Sequence, residues 1–245
     1  MTGRPCPKET FTWIHEIYRH CEPSHYIVLR AAIFSYHCTH LCSRIRELVD
    51  TGDLDTLLSS SPSILQDIDE VENATHPLFC NQRIADYVVD PPLTPYSAPD
   101  HVDLLYLGTN TYQCNFRMQL SYHVLEFLRH ASRAPGCTPQ QQIMFTQFRH
   151  RCIEEFRTLA HKALCMLAMT LDIGPLTRLD QLEGRKDDKK DLSRIVGWSD
   201  AIRCLPPLRF IAACPISSDW QRDAANKILD LMKRQLGTIQ SLGTL

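Results

Sequence analysis

"IVLRAAIFSYHCTHLCSRIRELVD", residues 27–50, is the stretch whose reading decides the fold. Its centre, "SYHCTHLC" (residues 35–42), holds His37, Cys38, His40 and Cys42, and reads either as a metal site or as helix core. On a helix each residue turns about 100°, so Cys42 falls about 40° from Cys38, while His37 and His40 fall about 100° and 160° round the other way. Side chains spread over that arc cannot converge on one ion, and zinc needs about four convergent ligands. Ile27, Ala31, Phe34, Leu41, Ile45 and Val49 all lie within about 60° of Cys38. The cysteines therefore sit in the middle of an apolar stripe, where free cysteine is commonly buried. The stretch reads as helix core, with the histidines at its edges.

Outward from this helix the pattern stays helical. Glycine is scarce, at 9 residues, and alternation with a period of two never persists. A short helix is expected over 9–20, and Ser24 can cap the long helix that ends near Asp50. "TGD" (51–53) is a turn. Asp53 or Asp55 starts a helix to about Asn73, with Ser61-Pro62 as the point where it would break. "DPPLTPYSAPD" (90–100) carries Pro91, Pro92, Pro95 and Pro99, so residues 76–99 read as an irregular Pro-rich loop. Asp100 looks like the cap of a helix to about Ser132. Thr138 caps the next, with Pro139 in its first turn, and Gly174-Pro175 stops it. Residues 174–191 form a charged loop. A helix over 192–204 is expected to break or kink at Pro206-Pro207. Ser217 or Ser218 caps the last helix, which Gly237 ends. The expectation is an all-α, irregular array of about seven or eight helices forming one domain over residues 1–245, with 1–23 as an N-terminal extension.

The totals exclude several functions. The chain has 245 residues, 26 basic against 28 acidic, and a net charge of −2. A chain that grips nucleic acid by itself usually carries a basic patch or stripe, and here the signs are interspersed. Only residues 178–194 are dense in charge, and there the signs alternate. No apolar run approaches the roughly 18 residues of a membrane span, and "MTGRPCPKETF" has no secretory h-region. The 11 cysteines, an odd number with no secretory signal, point to a reducing compartment rather than a disulfide framework.

Motif by motif, chemistry finds little purchase. In "HEIYRH" the second histidine, His20, falls at i+5 from His15, one position beyond the metalloprotease spacing, about 140° away. "GWSDA" (197–201) lacks the final glycine of the nucleophile elbow and the strand that must precede it, so Ser199 and Asp200 read as exposed helix residues. No C-x-x-C pair, P-loop or dinucleotide motif occurs. Cys152 groups with Phe148, Ile153 and Phe156, and Cys165 with Met166 and Met169, as core stripes. Glu154 and Glu155 are adjacent on a helix and point apart. No catalytic, cofactor-binding or metal-ligating residue is assigned, and no cofactor.

The order of segments carries a further signal. The helix "IVLRAAIFSYHCTHLCSRIRELVD" leads into "LDTLLSSSPSILQDIDEVENATHPLF". A Pro/Tyr-rich stretch separates these from "NTYQCNFRMQLSYHVLEFLRHA", and later comes "DAIRCLPPLRFIAACPISSDWQRDAANKILDLMKRQLGTIQSL". Over residues 24–245 this resembles the fungal-specific transcription factor regulatory domain that lies downstream of a zinc binuclear cluster. In that likeness Trp220, Gln221, Arg222 and Gly237 mark the closing helix pair. The resemblance implies a non-enzymatic, nuclear regulator of transcription that works through protein partners, a dimer or other factors, or through a small effector. The family's six-cysteine DNA-reading module is absent from this sequence. Direct sequence-specific DNA binding is therefore not expected of this chain, which would be a cluster-less homologue, a truncated product or a fragment. Residues 185–190 give no clear import signal, being diluted by Asp187 and Asp188, so the nuclear assignment comes from the resemblance and the cytoplasm is the alternative. Trp13, Trp198, Trp220, Tyr112 and Tyr122 are the aromatics that could line an effector pocket, although each also suits an ordinary core or anchor position. The competing reading is a small helical accessory protein or enzyme of a fungal biosynthetic pathway, such as secondary metabolism, whose site no motif reveals.

Overall fold

Phe34, Cys38, Leu41 and Ile45 are all buried, so the stripe read from residues 27–50 is the one the fold hides. The computed structural model describes Pro7 and residues 9–20, 26–75, 104–170 and 198–236. Among the described residues there are seven α-helices and no strand: α1 (Glu9–His20), α2 (Tyr26–Thr51), α3 (Leu54–Thr75), α4 (Leu104–Ala131), α5 (Pro139–Thr170), α6 (Trp198–Ala213) and α7 (Asp219–Leu236). The chain is an all-α array. Ser24, Asp100 and Gly237, the Pro-rich and charged loops over 76–99 and 174–191, and residues 192–197 lie outside the described residues.

The helix ends follow local chemistry. Gly52 adopts φ 66°, a left-handed conformation that favours a residue without Cβ, and its N–H donates to the Val49 carbonyl at 3.1 Å, closing α2. Asp53 caps α3, its carboxylate accepting from the Asp55 N–H at 3.1 Å. Thr138 and Gln141 form a reciprocal capping box. The Gln141 N–H donates to Thr138 Oγ1 at 3.3 Å, and the Thr138 N–H donates to Gln141 Oε1 at 2.9 Å. Ser218 precedes α7, its N–H donating to Gln221 Oε1 at 3.1 Å.

Proline behaves differently from the sequence expectation. Pro62 lies inside an unbroken α3, and Pro206-Pro207 lie inside an unbroken α6. In α3 the reason is visible. Proline has no N–H to give the carbonyl four residues back, which here is that of Leu58. Ser61 Oγ donates to that same carbonyl at 2.8 Å. A neighbouring hydroxyl thus replaces the missing donor, and the helix continues.

The helices divide between two compact units that interleave in sequence. The first holds α1, α2, α3 and residues 116–131 of α4 and 139–156 of α5. Its core joins Phe34, Cys38 and Ile45 of α2, Leu57, Ile64 and Ile68 of α3, Val124, Phe127 and Leu128 of α4, and Phe145 and Cys152 of α5. Charge pairs tie the same helices: Arg44 to Asp67 between α2 and α3, and Arg117 to Glu155 between α4 and α5. The second unit holds residues 104–115, 157–170, α6 and α7. There α6 packs on α7, and Leu164, Leu208, Ile211, Ala225 and Ile228 are buried without residual exposure. The α5 carbonyl of Arg157 accepts from Gln221 Nε2 at 2.6 Å, fastening α7 to α5.

Ser61→Ala should cost about 1–2 kcal/mol, because it strands the Leu58 carbonyl beneath Pro62. In a Pro62→Ala background the new N–H serves that carbonyl, and the same Ser61→Ala change should cost under about 0.5 kcal/mol. Chemical denaturation of the four proteins measures both.

Candidate functional site

α3 commits Leu57, Ile64 and Ile68 to the core of the first unit. Its adjoining flank, Pro62, Leu65, Gln66, Asp69 and Glu70, recurs at helical spacing and faces the first turns of α5. Between them lies an open groove of about 940 Å³. Leu65, Met144 and Phe148 form its floor, Leu65 buried and the other two half-buried. Ile143, on the α5 side, is 61 % exposed although it is aliphatic and lies within a regular helix. Gln140, Gln141 and Gln147 make the rest of the α5 wall, and Gln66, Asp69 and Glu70 make the α3 wall.

The ends of the groove are fixed. At one end the Thr138–Gln141 capping box starts α5. At the other, Arg151 Nη2 donates to Asp69 Oδ1 at 2.8 Å, and its guanidinium stands 4.7 Å from the centre of the Phe148 ring. Glu70 accepts from Gln66 Nε2 at 3.0 Å. An apolar floor with a polar, mildly acidic rim between two helices is the form of a surface that takes an amphipathic helix.

The residues singled out by sequence fall elsewhere. Cys38 is fully buried and Cys42 partly so, while His37 and His40 are exposed and Tyr36 stacks on His40 at 6.3 Å. Burial pushes the Cys42 thiol up to about 12, only partly opposed by Arg46, and pushes Cys165 up to about 11. Neither is a thiolate near neutral pH, which removes the nucleophilic form. Among the described residues no group of three or more His, Cys, Asp or Glu could hold a metal ion. His15 and His20 are both exposed on α1. Glu155 pairs with Arg117, and Glu154 is exposed. The side chains of Trp198, Ser199, Asp200 and Met169 lie outside the description.

The remaining candidate aromatics divide between the two units. Trp13 and Tyr122 belong to the first unit, Tyr112 and Trp220 to the second, and none lines the groove. Trp220 meets His161 edge-on at 5.2 Å, and His161 Nε2 lies 3.8 Å from Cys165 Sγ, but the raised thiol makes this a packing cluster. Sequence reading passed over the polar row Thr109, Asn110, Thr111, Gln113 and Asn115, all buried in α4. Within that row Thr111 Oγ1 and Asn115 Oδ1 have no hydrogen-bond partner among the described residues. Sequence reading also passed over the groove, whose one visible signal is Ile143, a large aliphatic set among glutamines and off the stripe of Met144, Phe148 and Cys152.

Comparison with protein-family models, with curated proteins and with solved structures finds no match to this chain. Among the described residues no helix is long and apolar enough to cross a membrane.

Beside the groove's unit core, Arg46 Nη2 of α2 meets His123 Nε2 of α4 at 3.3 Å. With Arg46 as donor, the imidazole must accept and hence be neutral at that nitrogen. Burial first, and then Arg46, hold His123 below its ordinary value of 6.5, with Glu126 opposing. Burial and His40 lower His37 in the same direction. A histidine whose folded value is depressed binds more protons when unfolded, so stability rises with pH and is lost as pH falls through about 6.5. His123→Gln, which keeps an acceptor for Arg46, should flatten this acid limb. Urea denaturation of both proteins between about pH 7.5 and 5 checks it.

Proposed function

We propose that this chain is a non-enzymatic regulatory protein that acts by seating a protein helix in the α3–α5 groove, and that it serves transcription of the fungal type. The observation that carries the first half is Ile143. A solvent-facing isoleucine above the floor of Leu65, Met144 and Phe148 gives an incoming apolar side chain something to bury against. Covering such a side chain contributes roughly 1.5–3 kcal/mol to a complex. The polar rim fits a surface that is wet when empty and covered when occupied.

The second half comes from the order of helical segments, which resembles the regulatory domain of fungal zinc-cluster factors. On that reading the partner is protein. The residues of this chain carry no basic patch, so promoter contact is not assigned to them. The nucleus is the compartment that follows from this reading.

A tethering assay tests both halves. The intact chain, fused to an unrelated DNA-binding domain in a fungal cell, should change transcription of the matching reporter several-fold. Ile143→Asp, placed on an exposed helix position where it should not disturb the core, should abolish that change at equal protein level. No effect of the folded fusion would overturn the transcriptional assignment. An effect that Ile143→Asp leaves intact would overturn the role of the groove.

A further inference from the structure

We propose that the helix taken up by the α3–α5 groove is α1 of a second copy of this chain, exchanged reciprocally in a two-fold dimer. The inference rests on the reading of the groove as a helix dock and names its occupant.

Among the described residues the first unit carries three large apolar side chains in solvent: Trp13 at 68 % exposure, Ile17 at 54 % and Ile143. Two of them are on α1, spaced i, i+4, and so stand one above the other on a single face. Ile14, about 100° round the helix from Trp13, is buried, and α1 packs on α2. The face continues through half-buried Thr10 and exposed His20, at i−3 and i+7 from Trp13, within about 80°. That is the spacing of a helix with one face committed to its own unit and a second face left for another. None of the groove's lining residues comes from α1, so a copy does not fill its own groove.

Dimensions and charge agree with this occupant. α1 has 12 residues and is about 18 Å long, and the α5 wall over residues 138–148 is about 16 Å long. The last turn of α1 carries Arg19 and His20. The acidic residues of the groove, Asp69 and Glu70, lie on the last turns of its α3 wall, away from the capping box. An α1 laid with its C-terminal turn over Glu70 brings Arg19 and His20 to that carboxylate, while Asp69 keeps its pairing with Arg151 and Arg19 can exchange its partner Glu16 on the same helix. Trp13 and Ile17 then lie along Ile143, Met144 and Phe148. Both surfaces belong to one unit. Reciprocal exchange makes the contact twice and closes, whereas a one-way contact would propagate into a filament.

Sedimentation equilibrium of the intact protein across the micromolar range tests this. Wild type should be a dimer. Trp13→Ala and Ile143→Asp, both at exposed positions and both monitored by far-UV circular dichroism, should each raise the dimer dissociation constant by about tenfold or more. A mixture of the two variants should recover part of the affinity, because the mixed dimer pairs an intact groove with an intact α1. Three outcomes would overturn the proposal: wild type that stays monomeric, a dimer indifferent to both substitutions, or a mixture no tighter than either variant alone. A monomeric wild type whose Ile143→Asp variant still loses reporter control would reject the second copy as occupant and leave the helix dock standing.

Discussion

Burial of the α2 stripe is the constraint on which the first unit depends. Phe34, Cys38, Leu41 and Ile45 are each less than a twentieth exposed, and every other helix of that core contributes side chains that close over them. Each large apolar side chain so hidden contributes roughly 1.5–3 kcal/mol. Cysteine at position 38 fits this role because it is small and apolar, so neighbouring helices can approach. The same burial keeps the Cys42 thiol protonated, so the group that looks most reactive in the sequence is chemically quiet.

The groove follows from how α3 meets that constraint. Its core face is fixed by Leu57, Ile64 and Ile68, and Arg44 holds it from the α2 side through Asp67 and Ser63. Helical periodicity then places Pro62, Leu65, Gln66, Asp69 and Glu70 on the flank toward α5. The flank is continuous because α3 continues as one helix through Pro62. A break there would tilt residues 63–70 away from the α5 wall and separate Leu65 from Met144 and Phe148. The hydroxyl of Ser61 on the Leu58 carbonyl is thus linked to the α3 wall of the groove as well as to helix stability.

Much of the scaffold was legible in the sequence because it is locally encoded. The bounds of α1, the glycine turn at Gly52, the Asp53 cap and the Thr138-Pro139 start all depend on residues within a few positions of one another. The stripe around Cys38 was legible because periodicity states what goes inside. Proline was misread because its cost is judged for an isolated helix, and the rescue by Ser61 is a contact that composition does not announce. The groove was not legible for a different reason. Periodicity separates inside from outside, but whether two packed helices leave a gap between their flanks depends on their packing angle and on side chains distant in sequence. The Arg46–His123 contact joins residues 77 positions apart and is equally invisible.

On the proposal made above, the α3–α5 groove receives α1 of another copy. Hydrogen exchange followed by mass spectrometry over a dilution series of the intact protein tests it most directly. Residues 9–20 and 138–148 should gain protection together as concentration rises through the dimerisation range, while the second unit's α6 and α7 exchange at a constant rate. Exchange of residues 9–20 that is the same at every concentration would contradict it.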